Sequence, residues 1–367
     1  MIIAVEGYEL GTEARGVGRA VHNIAIRLFS LLPDDTFVIF TKHRAGIYDR
    51  PRVSELAIPG RGGYLRWLNG PLWRALRAAR PDIFIATNYV LPFFPPRKSL
   101  LFEHDISVIS HPEWYPRKYA LGRKLLMKRS LARALRVVAP SEYTRGEILR
   151  TFGVEAEKVR TIGYGIDDTF QRAEEGRVKE WKKRKRIEGN PVIGFLGSLF
   201  KRRHIPALIQ AVARLREEIP GTLLYLVGRN CGALSSREAA EVAGVDWIRW
   251  EETVPEEELT LYYSSLDVFA YLSEYEGFGF PPLEALACGT PAVVMNRTSL
   301  GEIFNGLAVM VEHPEMEEVR AALRTALLDR GTRTRLGSEF TRRKSEFSWD
   351  RTALEVAALL EQMRAAG

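Results

Sequence analysis

Short apolar runs alternate along this chain with segments whose apolar residues recur every three or four positions. Met1–Val5 is such a run, and after a glycine-containing loop Val21, Ile24, Ala25 and Leu28 follow at helical spacing. The first pattern predicts a buried strand and the second an amphipathic helix. The alternation recurs in both halves of the chain, which predicts an α/β fold. Further strands are predicted at Thr36–Thr41, Pro81–Ala86, Ser99–Phe102, Arg136–Ser141, Pro191–Gly197, Thr222–Gly228 and Val245–Trp250.

One stretch in the second half adds candidate chemistry to this pattern. Val268–Leu272 is an apolar run of strand length, after which Gly277 and Gly279 interrupt any periodicity. Pro281 and Pro282 suit the first turn of a helix, where a missing N–H costs nothing. The stretch therefore predicts a strand, a tight loop and a short helix.

Two carboxylates flank this loop, because Glu276 precedes the glycines and Glu284 follows eight residues later on the predicted helix. Backbone N–H groups in a glycine loop and at a helix start favour an anion such as phosphate. The carboxylates can accept hydrogen bonds from the hydroxyls of a ribose or a hexose. The spacing predicts a ligand that is part phosphate and part sugar.

The sequence EGFGFPPLEALACGTPAVV, from Glu276 to Val294, resembles the signature of the family-four retaining glycosyltransferases. The resemblance implies the GT-B fold, in which two Rossmann-like domains face a central cleft and a C-terminal helix crosses back to the N-terminal domain. On this basis residues 1–166, with 350–367 packed back on them, form the N-terminal acceptor-side domain. A linker spans 167–190, and 191–349 form the C-terminal domain that binds the nucleotide sugar. Residues 316–329 and 332–345 are predicted to be closing helices.

Composition agrees with two domains in an ordinary globular protein. The chain has 367 residues, of which 46% are hydrophobic and 27% charged. Cys231 and Cys288 have no spaced partners, which argues against a disulfide framework or a zinc site and for a reducing cytoplasm. The first residues lack a signal-peptide pattern, and no apolar run is long enough for a membrane span. We therefore expect a cytoplasmic protein.

Charge is distributed unevenly between the two halves. Residues 1–165 contain 26 Lys and Arg against 15 Asp and Glu, a net charge of +11, whereas residues 166–367 carry −4. Residues 60–80 hold five arginines with Trp67 and Trp73 and no acid, and residues 115–136 hold eight positive charges and no acid. In the latter, Leu121, Leu125, Leu131 and Leu135 are expected on one side of a helix. No nucleic-acid recognition motif is present, so we expect a peripheral contact with the anionic inner face of a membrane through 60–80 and 115–136. The alternative is that these cations pair with acids elsewhere in the fold.

The resemblance also assigns roles to individual residues. His104, in the step His104-Asp105 at a predicted strand end, is expected to be catalytic and to face the donor sugar. Gly16 and Gly18, in the loop after the first strand, are expected near the donor phosphates. Ser141, at the start of a predicted helix, is expected to be a structural N-cap.

A basic loop after the strand 191–197 is expected to hold the donor diphosphate. The family usually has Gly-Arg, three further residues, and Arg-Lys followed by a small residue. Here Ser198 replaces the first arginine, Arg203 the lysine and His204 the small residue. Since no acid lies within ten residues of Arg202 or Arg203, an anion is expected to accompany them.

These assignments lead to a mechanism without a metal or other cofactor. The chain has no Asp-x-Asp motif to hold a metal ion. We therefore expect Arg202, Arg203 and the loop Gly277-Phe278-Gly279-Phe280 to stabilise the negative charge on a departing diphosphate. Glu284 is expected to bind the ribose and Glu276 the hexose. The resemblance implies transfer of a hexose, with mannose the expected sugar, from GDP-mannose or a UDP-sugar to a glycan or lipid-linked acceptor. The anomeric configuration is retained, and the leaving phosphate takes the acceptor proton; Glu276 as a covalent nucleophile is the less favoured alternative.

Two other functions share this architecture. A nucleotide-sugar 2-epimerase would form product from the nucleotide sugar alone, without an acceptor. A non-catalytic binding protein on the same fold would form no product, although the intact Glu276, Glu284 and basic loop argue against it.

Overall fold

Two parallel sheets, each formed by its own part of the chain, organise the structure. The computed structural model describes residues 1–10, 16–44, 46, 48 and 50–365. It divides into unit 1, made of Met1–Gly165 and Glu346–Gly367, and unit 2, made of Ile166–Ser345. The segment 167–190, which the sequence suggested as a linker, therefore lies within unit 2.

The described strands of unit 1 form a seven-stranded sheet in the order β3-β2-β1-β4-β5-β6-β7. All neighbouring strands are parallel, and the order reverses between β1 and β4, which pair through Ile3–Ile83 and Val5–Ile85. Such a reversal opens a crevice at the carboxyl ends of the strands, where open α/β sheets bind ligands. The strands are β1 Ile2–Gly7, β2 Thr36–Thr41, β3 Val53–Ala57, β4 Ile83–Ala86, β5 Ser99–Phe102, β6 Arg136–Ala139 and β7 Val159–Thr161.

Helices cover both faces of this sheet. The long α1 buries Ala20, Val21, Ile24 and Leu28, as the spacing of its apolar residues predicts. Ser141 accepts a hydrogen bond from the backbone N–H of Thr144 at 3.1 Å, so its prediction as an N-cap is confirmed. The helices are α1 Val17–Leu31, α2 Tyr64–Trp67, α3 Trp73–Ala79, α4 Ser107–Ser110, α5 Arg117–Arg133 and α6 Glu142–Phe152, and a π-helical turn, Leu68–Leu72, joins α2 to α3.

The described strands of unit 2 form a six-stranded parallel sheet in the order β10-β9-β8-β11-β12-β13. Here the order reverses between β8 and β11, so the loops that leave these two strands emerge side by side. Apolar residues fill the strands, and all four residues of β11 and of β12 are buried. The strands are β8 Val192–Leu196, β9 Leu223–Val227, β10 Ile248–Glu251, β11 Val268–Tyr271, β12 Ala292–Met295 and β13 Val309–Val311.

The first helix of unit 2, α7, explains why residues 167–190 are not a free linker. Its Val178 and Trp181 are buried, and the Trp181 ring lies 5.9 Å from that of Tyr225 in the sheet. Lys185 forms an ion pair of 2.7 Å with Glu251. The helices of unit 2 are α7 Glu175–Lys185, α8 Ile205–Glu218, α9 Ser236–Ala243, α10 Leu259–Ser265, α11 Phe280–Ala287, α12 Thr298–Ile303, α13 Met316–Leu328 and α14 Arg330–Arg343.

The last helix, α15 (Trp349–Ala365), belongs to unit 1, where it packs against α1. Thr352 donates a hydrogen bond of 2.7 Å to the carbonyl of Gly163, which fixes the start of the helix beside the end of β7. Near the other end, Arg364 forms an ion pair of 2.5 Å with the buried carboxylate of Asp35. Unit 1 is therefore built from two stretches of the chain, one that precedes unit 2 in the sequence and one that follows it.

Helix α5 departs from its predicted arrangement. Leu131 is buried, but Leu121 and Leu125 are 63% and 62% exposed, and Leu135 lies beyond the end of the helix. The prediction of one leucine stripe is therefore wrong, because Ala120, Met127 and Ser130 form the buried side with Leu131. Within the residues that the structure describes, every helix is too short or too polar to cross a bilayer.

Candidate functional site

Polar residues of unit 2 collect where β8 and β11 end. Gly197 and Ser198 leave β8 and lead into a single 3₁₀ turn, Lys201–Arg203. Ser273 and Glu276 follow the end of β11. Because the two strands are parallel neighbours at the reversal of strand order, the sequence-distant loops meet at one edge of the sheet.

An ion pair between Arg203 and Glu276 joins these loops. Nη2 and Nε of Arg203 donate to Oε1 of Glu276 at 3.0 and 3.3 Å, and the side chains are only 11% and 18% exposed. The anion that we expected to accompany the basic loop is thus the carboxylate of Glu276, which lies 73 residues away in the chain. Two residues that were assigned to different parts of a donor neutralise each other in the structure.

Two further groups hold the Glu276 carboxylate. The hydroxyls of Tyr271 and Ser273 each donate to its Oε1 at 2.9 Å. Burial raises the pKa of Glu276, but Arg203, Arg202 and these hydroxyl donors outweigh burial, so the net pKa lies below its usual value. Glu276 is therefore an anion at neutral pH.

Close packing at the end of β8 determines where Arg203 can lie. Gly197 has a φ of +140°, and a Cβ added there would lie 2.4 Å from Nη1 of Arg203. That nitrogen donates to the carbonyl of Ser198 at 2.9 Å, so Ser198 contributes its backbone to the site. Arg202 lies over the ring of Phe200, with 4.5 Å between guanidinium carbon and ring centroid.

The glycine loop 277–280 follows Glu276 and ends at α11. Gly279 has a φ of +107°, and an added Cβ would lie 2.6 Å from Leu300, so only glycine fits. Pro281 and Pro282 occupy the first turn of α11, as predicted. Ser299 donates to the carbonyl of Glu276 at 2.7 Å and fixes the loop from the side of α12. The rings of Phe278 and Phe280 lie 5.3 Å apart.

Glu284 lies on α11 behind this loop and is only 4% exposed. Its Oε2 accepts a hydrogen bond of 2.6 Å from the hydroxyl of Tyr263 on α10. The carboxylate therefore has a fixed orientation before any ligand binds.

In unit 1, His104 follows β5 at the carboxyl edge of the sheet. Its Nε2 lies 2.7 Å from the carbonyl of Thr87 and its Nδ1 lies 2.6 Å from the hydroxyl of Tyr164. A carbonyl can only accept, so Nε2 carries the proton and Nδ1 accepts from Tyr164. Burial lowers the pKa of His104 and outweighs the opposing effects of Thr87 and Asp105. The imidazole is neutral, and both ring nitrogens are engaged within unit 1.

The predicted glycines of unit 1 occupy different environments. Gly16 is exposed and precedes α1 with a φ of +55°, whereas Gly18 is buried in the first turn of α1. Residues 11–15 of their loop, including Gly11, lie outside the described residues.

Several residues that contact the predicted ones had not been identified. Tyr271 and Ser273 hold Glu276, Tyr263 holds Glu284, and Thr87 and Tyr164 hold His104. Tyr271 and Ser273 lie just before Glu276 at the strand end, and this proximity was a usable signal. No local pattern points to the other three, because each comes from a different element.

The arrangement in unit 2 suits an anion next to a hydroxyl-bearing group. Arg202 and Arg203 supply positive charge, while Glu276 and Glu284 accept hydrogen bonds. Among the described residues, no group of three His, Cys, Asp or Glu side chains is placed to hold a metal ion.

Comparison with known proteins gives two family matches that together cover most of the chain. Residues 14–170 match the family model described as Glycosyltransferase Family 4, and residues 177–343 match that described as Glycosyl transferases group 1. The chain is 26% identical to the O-antigen chain mannosyltransferase B of Escherichia coli over 283 residues, which is 75% of this chain and 73% of that protein. It is 28% identical to the MMP alpha-(1->4)-mannosyltransferase of Mycolicibacterium hassiacum over 64% of this chain, and spans about half of that relative (56%). Among solved structures, sucrose-phosphate synthase from Thermosynechococcus elongatus superposes with a TM-score of 0.81 over 100% of both chains, at 21% identity.

The Arg203–Glu276 pair predicts a pH-dependent contribution to stability. Glu276 has a lowered pKa when folded, so its contribution is present above the unfolded value of 4.5 and is lost as the pH falls below it. Glu276→Gln should lower the free energy of unfolding by roughly 3 kcal/mol at neutral pH, because Arg203 is left without its anion. Denaturant unfolding at a series of pH values should show the difference from wild type shrinking below pH 4.5.

The neighbouring Glu274, 40% exposed and paired with His204, provides the control. Glu274→Gln should change stability by less than about 0.5 kcal/mol. A Glu276→Gln penalty that stays constant as the pH falls through this range would contradict the ion-pair interpretation.

Proposed function

The chain belongs to the GT-B glycosyltransferases, and from this we propose that it transfers a hexose, with mannose the expected sugar, from a nucleoside-diphosphate sugar to a hydroxyl of a glycan or lipid-linked acceptor. The observation that carries the proposal is the pairing of Arg203 with Glu276 beside the glycine loop. One partner suits a diphosphate and the other a sugar hydroxyl.

Donor binding then exchanges partners within this pair. The diphosphate takes the place of Glu276 on Arg203, with Arg202 and the backbone of 277–280 adding positive potential. Glu276, still held by Tyr271 and Ser273, accepts a hydrogen bond from a hexose hydroxyl. Such an exchange leaves Arg203 with an anion and the Glu276 carboxylate with hydrogen-bond donors at each stage.

Glu284 is the proposed ligand of the ribose hydroxyls. Its carboxylate has one oxygen oriented by Tyr263, and it lies one helical turn behind the loop that is proposed to hold the phosphates. The order of phosphate ligand and ribose ligand along the chain thus matches the order of groups in a nucleotide sugar.

We propose that the reaction retains the anomeric configuration without a metal. The leaving phosphate, held by arginines, takes the proton of the acceptor hydroxyl. Glu276 is the less favoured candidate for a covalent nucleophile, because its place before the glycine loop suits a hydrogen bond to a hexose hydroxyl. His104 is the proposed catalytic residue of unit 1, where Thr87 and Tyr164 hold its neutral imidazole.

The names of similar proteins favour mannose as the transferred sugar and polysaccharide synthesis as the process. The names of the two relatives are those of mannosyltransferases, one of which acts on an O-antigen chain. We therefore propose GDP-mannose as the first donor to test, with UDP-sugars as alternatives. A nucleotide-sugar 2-epimerase remains the second candidate, since it would use the same donor residues.

Turnover of a panel of nucleotide sugars tests the function. With the correct donor, release of the nucleoside diphosphate should require an acceptor. Glu284→Gln should weaken donor binding and Glu276→Ala should depress kcat more than binding. Each change should lower kcat/KM by roughly 10- to 150-fold, the loss of one hydrogen bond to a charged group.

Glu274→Ala, at the exposed end of the same loop, should retain near wild-type kinetics. Wild-type kcat/KM in both site variants would contradict the site assignment. Formation of an epimerised nucleotide sugar without an acceptor would show that the protein is an epimerase and not a transferase. Absence of product with every donor would favour a non-catalytic binding protein.

Metal dependence is tested separately. Because Arg202 and Arg203 are proposed to compensate the diphosphate, activity in excess EDTA should equal that in its absence. Loss of activity with the chelator and its return on adding Mg²⁺ or Mn²⁺ would show that the arginines do not suffice.

We propose that the protein binds the cytoplasmic face of a membrane peripherally and meets its acceptor there. Within the described residues, none of the five arginines of 60–80 and none of the eight basic residues of 115–136 forms an ion pair with a carboxylate. On α5 the exposed Tyr119, Leu121 and Leu125 accompany these charges. Cations that form no close ion pair, beside exposed apolar side chains, suit an anionic bilayer surface.

Co-sedimentation with phosphatidylglycerol vesicles tests this contact. Binding should appear at low salt and fade at high salt, since each basic residue contributes on the order of 1 kcal/mol near an anionic surface. Replacing Arg117, Lys118, Lys124 and Lys128, all exposed on α5, with glutamine should abolish binding without lowering the melting temperature.

The matched control removes four exposed cations from unit 2, namely Arg177, Lys179, Lys183 and Arg186. That variant should bind vesicles as wild type does. If wild type stays in the supernatant at low salt, the acceptor is not reached through this surface.

A further inference from the structure

A groove of about 440 Å³ lies at the opposite edge of the unit 1 sheet from His104. Residues that precede β4 and β5 contribute to it, so it opens at the amino ends of these strands. His104 follows the carboxyl end of β5, and the four residues of that strand span about 13 Å. The groove is therefore separate from His104, the proposed catalytic residue of unit 1.

Aromatic and cationic side chains line this groove. The ring centroids of Trp73 and Phe94 lie 6.3 Å apart, and the guanidinium carbon of Arg77 lies 5.2 Å from the Trp73 ring centroid. Arg80, Arg97 and Lys98 also line it. Arg80 ends α3 in the left-handed region, with a φ of +45°, where glycine would be less strained.

The groove has an uncompensated positive charge. Among the described residues that line it, Asp82 is the one acid, and it already accepts a hydrogen bond of 2.7 Å from the backbone N–H of Ile2. Within the described part of the chain, Arg77, Arg80, Arg97 and Lys98 have no carboxylate ion pair. Four cations against one engaged acid make a site for an anion.

An exposed apolar loop borders the same groove. Phe93 and Phe94 are 47% and 74% exposed, although phenylalanine has no polar group to interact with water. Proline residues lie on both sides of this pair, and Arg129 of α5 donates hydrogen bonds to the carbonyls of Pro92 and Phe93. The two rings are thus held outward by a fixed backbone, next to the cations.

From this juxtaposition we propose that the groove binds one anionic phospholipid, with its phosphate between Arg77 and Arg97 and its acyl chains against Phe93 and Phe94. The ligand must carry an anion and a large apolar part together, which matches the lining. The proposal rests on the membrane contact proposed above and gives it a specific lipid site, but it does not depend on the transfer reaction.

Short-chain dihexanoyl phosphatidylglycerol, kept below its micelle concentration, tests the site without a bilayer. Calorimetric titration of the whole protein should show saturable binding. Arg77→Gln with Arg97→Gln should lower the affinity roughly tenfold or more, and so should Phe93→Ser with Phe94→Ser. Inorganic phosphate should bind at least roughly tenfold more weakly, because it lacks the apolar part.

Arg74→Gln is the matched control, since Arg74 is exposed on the same helix and does not line the groove. It should leave the affinity unchanged. Absence of saturable binding, equal binding of inorganic phosphate, or an equal loss in Arg74→Gln would overturn the lipid site. Turnover with a water-soluble acceptor should be unchanged in all these variants, so failure of the transfer proposal is measured independently. Lipid-dependent self-association of the protein, seen by sedimentation velocity, would instead assign the groove to a contact between copies.

Discussion

The ion pair between Arg203 and Glu276 is the interaction on which the candidate site of unit 2 depends. It joins the exit of β8 to the exit of β11 and satisfies a cation and an anion that burial would otherwise penalise strongly. Tyr271 and Ser273 add donors to the same oxygen, so the carboxylate keeps a partner when the arginine turns to another anion. A ligand that carries a phosphate for Arg203 and a hydroxyl for Glu276 replaces both sides of the pair at once. The pair therefore favours ligands in which both groups are joined at a fixed distance.

Local patterns predicted much of the fold, for reasons that particular residues make clear. The spacing of Val21, Ile24 and Leu28 and the apolar run of β11 each specify one element without reference to the rest of the chain. The strands Val53–Ala57 and Val309–Val311 were not predicted, because the first contains Ser54 and Glu55 and the second has only three residues. The buried side of helix α5 was predicted wrongly, since Leu121 and Leu125 are exposed while Ala120, Met127 and Ser130 are buried with Leu131.

The candidate site divides in the same way between local and non-local information. The glycines at 277 and 279, the prolines at 281 and 282 and the two glutamates form one continuous motif, which can be identified from the sequence alone. The partner of Arg203 could not be, because it lies in another loop and the contact arises from the reversal of strand order between β8 and β11. Likewise, Tyr164 and Thr87 reach His104 only through the assembled sheet of unit 1. Pairwise contacts of this kind are properties of topology, and composition does not encode them.

Helix α15 makes unit 1 discontinuous in the sequence, with unit 2 inserted between its two parts. During vectorial synthesis on a ribosome, the strands of unit 1 emerge first, but the helix that covers α1 and binds Asp35 emerges only after all of residues 166–345. Unit 2 is continuous and can complete its own core as soon as its last helix is released. Until α15 emerges, the nascent unit 1 exposes the apolar surface that this helix covers in the finished fold, and such transiently exposed surface favours aggregation.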